Sequence, residues 1–251
     1  MRRSILATLV LFCIATTVDA ATLAISLGVR ETGSSGPIFG DGGTANGIEW
    51  VNLDGQSLAT DGTWQLFTFT PNVDTLSAFA GATANGILDQ DWGTIEHIRI
   101  RNIDGITVPI RMWIDNVTNT DSAGPVVEGF ESYTVGDEVM FQEPNFSGST
   151  SSNLVAGGTA AVSDSMAFAG SQSYETNFQF VDNTNTRWVR LTTFATVQPL
   201  PNPRVHMREP GAPNPTISFY AKAIVIPEPA TIALVGLGLL GLVMGARRRS
   251  V

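Results

Sequence analysis

Residues 110–118 read Ile110-Arg111-Met112-Trp113-Ile114-Asp115-Asn116-Val117-Thr118. Ile110, Met112 and Ile114 recur at every second position, the period of a strand with one buried face rather than of a helix. Turn formers from Asn119 to Pro125 close the run. The pattern recurs outward in both directions: Tyr174, Thr176, Phe178 and Phe180 share a face in the same way. Strands are predicted at 22–30, 48–53, 65–70, 95–102, 110–118, 126–133, 160–163, 174–181, 187–194 and 216–223. Glu31–Gly47 and Pro71–Gly93 have no such period and are expected to be loops. No long amphipathic helix interrupts the series, so the fold class is all-β, a jelly-roll-like β-sandwich.

Composition narrows the function classes. The chain has 251 residues and a net charge of −9, and its one lysine is Lys222. Between Ala21 and Ala246 nine basic residues face 22 acidic ones. Such a surface repels nucleic acid and suits neutral ligands or divalent cations. The single cysteine, Cys13, lies in the N-terminal segment, which excludes disulfides, zinc fingers and cysteine nucleophiles from the body. His97 and His206 are too few for a histidine-rich metal site.

The two ends read as addresses. Residues 1–20 place Arg2 and Arg3 before an apolar run from Ile5 to Ala15, then Val18-Asp19-Ala20, the layout of an export signal removed by the secretion machinery. Pro227-Glu228-Pro229 precedes an uncharged stretch, residues 230–246, and then Arg247-Arg248-Arg249. As a helix that stretch spans about 26 Å, enough for a thin membrane. The arginines would stay cytoplasmic, with Pro227–Pro229 on the outer face. Motif, glycine-rich span and terminal arginines together resemble the PEP-CTERM sorting signal over residues 226–251. That resemblance implies recognition by an exosortase, an integral-membrane cysteine protease, and processing near Pro-Glu-Pro. It also implies transient anchoring in the inner membrane, then release to the surface of an exopolysaccharide-producing bacterium.

The body, residues 21–225, carries four shorter likenesses to jelly-roll carbohydrate-binding modules and galactose-binding-like domains. Trp113–Val117 resembles their closing strand, Gly129–Ser132 their opening strand, Ala169–Ser173 a turn, and Trp64–Phe69 the penultimate strand. The order is inverted, since the closing strand precedes the opening one. Halves 21–121 and 122–225 therefore form either two sandwiches in tandem or one circularly permuted jelly roll. The second is the expectation, because a half alone leaves one sheet face uncovered. The resemblance further implies a structural calcium between the opening and closing strands, with Asp115 and Glu131 as its side-chain ligands.

Sugar-binding sandwiches offer aromatic rings to sugar C–H faces beside hydroxyl-binding polar groups. Trp92, Asp89 and Trp50 are the candidates for exopolysaccharide binding, with Phe79 and Asn46 nearby in the loops; Trp64 and Trp188 are expected at the core or its edge. Catalysis is not expected. Asp89 and Asp91 are the best carboxylate pair for a polysaccharide hydrolase, and they read more simply as a polar loop. His97 shares a face with Arg99 and Arg101 and is expected to be exposed. The sequence leaves three roles open: polysaccharide binding, polysaccharide hydrolysis, and a ligand-free envelope component.

Overall fold

A computed structural model describes residues 20–195 and 200–226. The expected export signal falls on residues 1–19, and the Pro-Glu-Pro motif, helix 230–246 and terminal arginines fall on 227–251. All of these lie outside the described residues. Among the described residues no helix is long and apolar enough to cross a membrane.

Among the described residues twelve strands form two antiparallel sheets: β1 (Thr22–Arg30), β2 (Ile48–Ala59), β3 (Gln65–Phe69), β4 (Leu76–Ala80), β5 (Trp92–Asn102), β6 (Ile110–Asp121), β7 (Gly124–Glu128), β8 (Thr159–Ser163), β9 (Ser173–Phe178), β10 (Trp188–Thr192), β11 (Arg204–His206) and β12 (Thr216–Val225). The first sheet runs β10-β5-β1-β2-β4, with β11 also on β5; the second runs β3-β12-β6-β9-β8, with β7 also on β6. β10 and β11 pair with successive stretches of β5, residues 97–101 and 92–94, and so act as one interrupted strand. β9 and β7 share β6 in the same way. Both sheets draw strands from residues 21–121 and from residues 122–225.

Alternation explains why these strands stack. Leu23, Ile25, Leu27 and Val29 point inward from β1, and Ile110, Met112 and Ile114 do so from β6; all are fully buried. Tyr174, Phe178 and Phe180 join the same core. Phe219 packs against Phe67 and Phe69 at ring separations of 5.6 and 6.1 Å. Burying each such ring contributes about 1.5–3 kcal/mol. At one end the sheets are tied together by Asn119 of β6, which accepts from His206 N–H at 2.7 Å and donates to His206 C=O at 3.0 Å. At the other end the chain termini of the body meet. Thr60 N–H donates to Ala21 C=O at 2.8 Å, and Gly62 N–H donates to Ala223 C=O at 3.0 Å.

Three expectations about elements are corrected. Leu76–Ala80 is a strand on β2, and Trp92 opens β5, so Pro71–Gly93 is not one long loop. Arg204–His206 adds an unexpected short strand. The strand expected at 126–133 stops at Glu128, because Phe130 adopts φ 65° and turns the chain.

Candidate functional site

β1 presents Ala24, Ser26 and Gly28 on the outer face of the first sheet. These side chains are too small to cover themselves, so the flanking strands cover them. Trp50 of β2 lies opposite Gly28, and Phe79 of β4 stacks on Trp50 with centroids 4.3 Å apart. Trp188 of β10 meets Trp50 edge-on at 5.7 Å and Phe79 at 5.9 Å. All three rings remain partly exposed. The Arg99 guanidinium stands 5.3 Å from the Trp50 ring and 5.2 Å from the Trp188 ring, and that of Arg190 stands 5.1 Å from Phe79. All three are cation–π distances.

A bulge beneath this cluster supplies its polar floor. His97 pairs with Gly28 and Ile95 with Val29, which leaves Glu96 without a partner on β1. The extra residue turns Glu96 and His97 toward the same face. His97 is fully buried, contrary to expectation. A Cβ on residue 28 would run into His97 Cε1, Nδ1 and Nε2, so only glycine leaves room for the imidazole. Trp50 Nε1–H donates to His97 Nε2 at 2.9 Å, while His97 Nδ1 faces Glu96 Oε2. Nε2 accepts and Nδ1–H donates, which is the pattern of a neutral ring. Burial pulls the His97 imidazole below its ordinary value, in keeping with that assignment. Burial alone would raise the Glu96 carboxyl, but its donors His97 and Arg190 outweigh burial and hold it well below the usual range. Arg190 donates to Glu96, and Arg30 lies 3.8 Å away.

Arg99 and Arg101 lie along the same face. Arg99 Nη1 donates to Leu53 C=O at 3.0 Å and Arg101 Nη2 to Asp54 C=O at 3.3 Å. Each Nε is buried without a partner. Burial, with Arg101 beside it, lowers Arg99 to about 10, so it stays charged at neutral pH.

The structure separates the three glycan candidates. Trp50 belongs to the sheet face just described. Trp92 stands at the end of β5, where its indole stacks on His206 at 3.8 Å, with the Arg204 guanidinium also 3.8 Å from the ring. Trp92, like Trp50, keeps partial exposure, but it stands apart from the Trp50, Phe79 and Trp188 rings. Asp89 is exposed in the β4–β5 connection and accepts from Asn85 Nδ2 at 2.8 Å. Glu31 holds that loop by accepting from the amides of Asp89 and Gln90. Glu49 holds it by accepting from those of Asn85 and Gly86 at 2.6 and 3.1 Å. The cleft lined by Glu31, Asn46, Thr83, Asp89 and Gln90 measures about 110 Å³. Ligand pockets begin at about 300 Å³. Asp91 pairs with Arg208 at 2.7 Å. Phe79 and Trp188, the two rings that complete the Trp50 cluster, are expected from the sequence in or beside a loop and at the core or its edge. The signal that could have placed Trp188 is its alternation with Val189 and Leu191, which assigns it to the outer face.

Asp115 and Glu131 do converge, but on a turn. Asp115 Oδ2 accepts from Phe168 N–H at 2.7 Å and Ala169 N–H at 3.1 Å, and Oδ1 from Asn116 N–H at 2.6 Å. Glu131 Oε1 accepts from Ser171 and Gln172 amides, both at 2.9 Å, and Oε2 from Ser171 Oγ at 2.8 Å. Each of the four carboxylate oxygens therefore already accepts a hydrogen bond from the chain. Among the described residues no group of three or more His, Cys, Asp or Glu could hold a metal.

Residues 225–249 match the family model described as the PEP-CTERM protein-sorting motif. The chain thus joins a two-sheet antiparallel β-sandwich to a C-terminal sorting motif, which implies export and exosortase-mediated sorting to the cell surface. Neither a curated protein nor a solved structure matches the chain.

Proposed function

We propose that this protein is a cell-surface or extracellular-matrix component whose non-catalytic body binds exopolysaccharide on the outer face of the first sheet. The observation that carries the reading is the convergence of Trp50, Phe79 and Trp188, from three strands, on one partly exposed face. Aromatic faces of this kind suit sugar C–H surfaces, and an open sheet accommodates a polymer where a closed pocket would take only a chain end. The signal at 1–20 would deliver the chain to the translocon, and the tail would hold it in the inner membrane until an exosortase acts.

The body is read as one circularly permuted jelly roll related to carbohydrate-binding modules. Supporting this are the mixing of both halves in both sheets and the meeting of Ala21 and Ala223 at Thr60–Gly62. A permuted closed fold needs its old ends bridged and its new ends adjacent.

A hydrolase is disfavoured by how the titratable groups are occupied. His97 has both nitrogens engaged, and Asp91 is paired with Arg208. His206 is stacked on Trp92, and its Nδ1 lies 3.0 Å from Asp121. The test is cosedimentation of the protein with the host's own exopolysaccharide, with release of reducing ends assayed in the same tube. Retention without release is expected; release of reducing ends would make the protein an enzyme, and absence of retention would leave a ligand-free envelope component.

A further inference from the structure

Only nine basic residues lie between Ala21 and Ala246, and four of them, Arg30, Arg99, Arg101 and Arg190, stand on the face that carries Trp50, Phe79 and Trp188. A single buried carboxylate, Glu96, answers Arg190 and Arg30. Among the described residues, Arg99 and Arg101 have no carboxylate within ion-pair distance, although Asp54 lies close enough to act on Arg99 through space. Their bonds go to backbone carbonyls, and both Nε groups are unpartnered. Two neighbouring guanidinium charges, Arg99 buried between two indoles and Arg101 half-buried beside it, are thus held on one strand without a full counter-charge.

We propose that the polysaccharide taken by this face is anionic, with its acidic groups engaging Arg99 and Arg101 while its ring faces lie on Trp50, Phe79 and Trp188. The proposal rests on the glycan reading above and adds the charge of the ligand. A planar carboxylate matches the guanidinium fork in a way that a neutral hydroxyl does not. An acidic peptide could supply the charge but not a repeating series of flat C–H faces for three aromatic rings. The remaining surface, strongly acidic, would repel a polyanion everywhere else and so direct it to this patch.

The experiment is affinity electrophoresis of the full chain, in detergent, through gels containing polygalacturonate or its fully methyl-esterified form. Retention by polygalacturonate is expected to be at least tenfold stronger than by the ester. It should fall at least tenfold in Arg99→Gln and in Arg101→Gln, the latter a half-buried position whose variant should melt as the wild type does. Equal retention by the two polymers, lost in Trp50→Ala, would overturn the charge inference and keep the glycan reading. No retention by either would overturn both. Retention by polygalacturonate that survives both arginine substitutions would place the polyanion elsewhere and overturn the assignment.

Discussion

The His97 imidazole occupies the space that a side chain on Gly28 would fill, so that one glycine decides whether the floor of the aromatic cluster can form. The pairing of Gly28 with His97 across β1 and β5 sets the position of the Nε2 that receives Trp50 Nε1–H. Gly28→Ala should therefore displace His97 and loosen Trp50. Overpacking of this kind costs about 1–3 kcal/mol. Chemical denaturation measures the loss, and tryptophan fluorescence should shift with it. Wild-type stability and an unchanged spectrum would show that the ring has another place to go.

Glu96 gives the cluster a pH dependence. Its folded carboxyl is depressed by its donors, so its contribution is present above the unfolded value near 4.5 and is lost as pH falls below it. Burial raises Glu31 and Asp115 instead, so those two act in the opposite sense over the acid range. The Glu96→Gln variant isolates the first effect. The stability difference between wild type and variant should shrink steadily from pH 5 downward, about one pH unit at a time, in urea titrations. A constant difference over that range would mean that Glu96 is not ionised in the fold.

Asp115 anchors the Phe168–Ala169 amides from a fully buried position. Asp115→Ala leaves those donors without an acceptor, at a cost of about 1–3 kcal/mol. The melting temperature of the wild type should be the same in calcium and in chelator. A calcium-dependent rise that disappears in Asp115→Ala would restore the cation reading, since a ligand bound only by the folded chain must stabilise it.

Much of the fold was legible because burial writes itself into alternation. Thr22–Arg30 matches its strand residue for residue, and Ile110–Thr118 falls within β6. What failed was whatever another strand decides. Leu76–Ala80 carries Ser77, Ala78 and Ala80 with no β-branched residue, and becomes a strand because β2 offers an edge. Arg204–His206 lies among prolines and pairs with the end of β5. The face of His97 followed from its neighbours; its burial depended on Gly28, nearly seventy positions earlier in the chain. Trp50 and Trp92 both looked like sugar platforms, and only the register separates a ring over Gly28 from one stacked on His206. The sorting tail needed no register, because its motif, span and arginines are contiguous.

Sorting makes its own prediction. The surface-exposed form should lack residues 1–20 and Arg247–Arg249, and mass spectrometry of protein released from the host surface reads both ends. Replacing Pro227-Glu228-Pro229 with alanines should leave the precursor in the inner membrane. Intact terminal arginines on the surface form would contradict exosortase processing.

The most direct measurement compares Trp50→Ala with Trp92→Ala for retention on the host exopolysaccharide, each variant first checked for cooperative melting. An aromatic ring in contact is worth about 0.5–1.5 kcal/mol beyond its area, so losing the central ring of three should weaken retention about two- to tenfold. Trp92→Ala, whose ring lies against His206 and Arg204 outside the Trp50 cluster, should bind as the wild type does. Undiminished retention in Trp50→Ala, or loss in Trp92→Ala alone, would contradict the assignment of the glycan site to this sheet face.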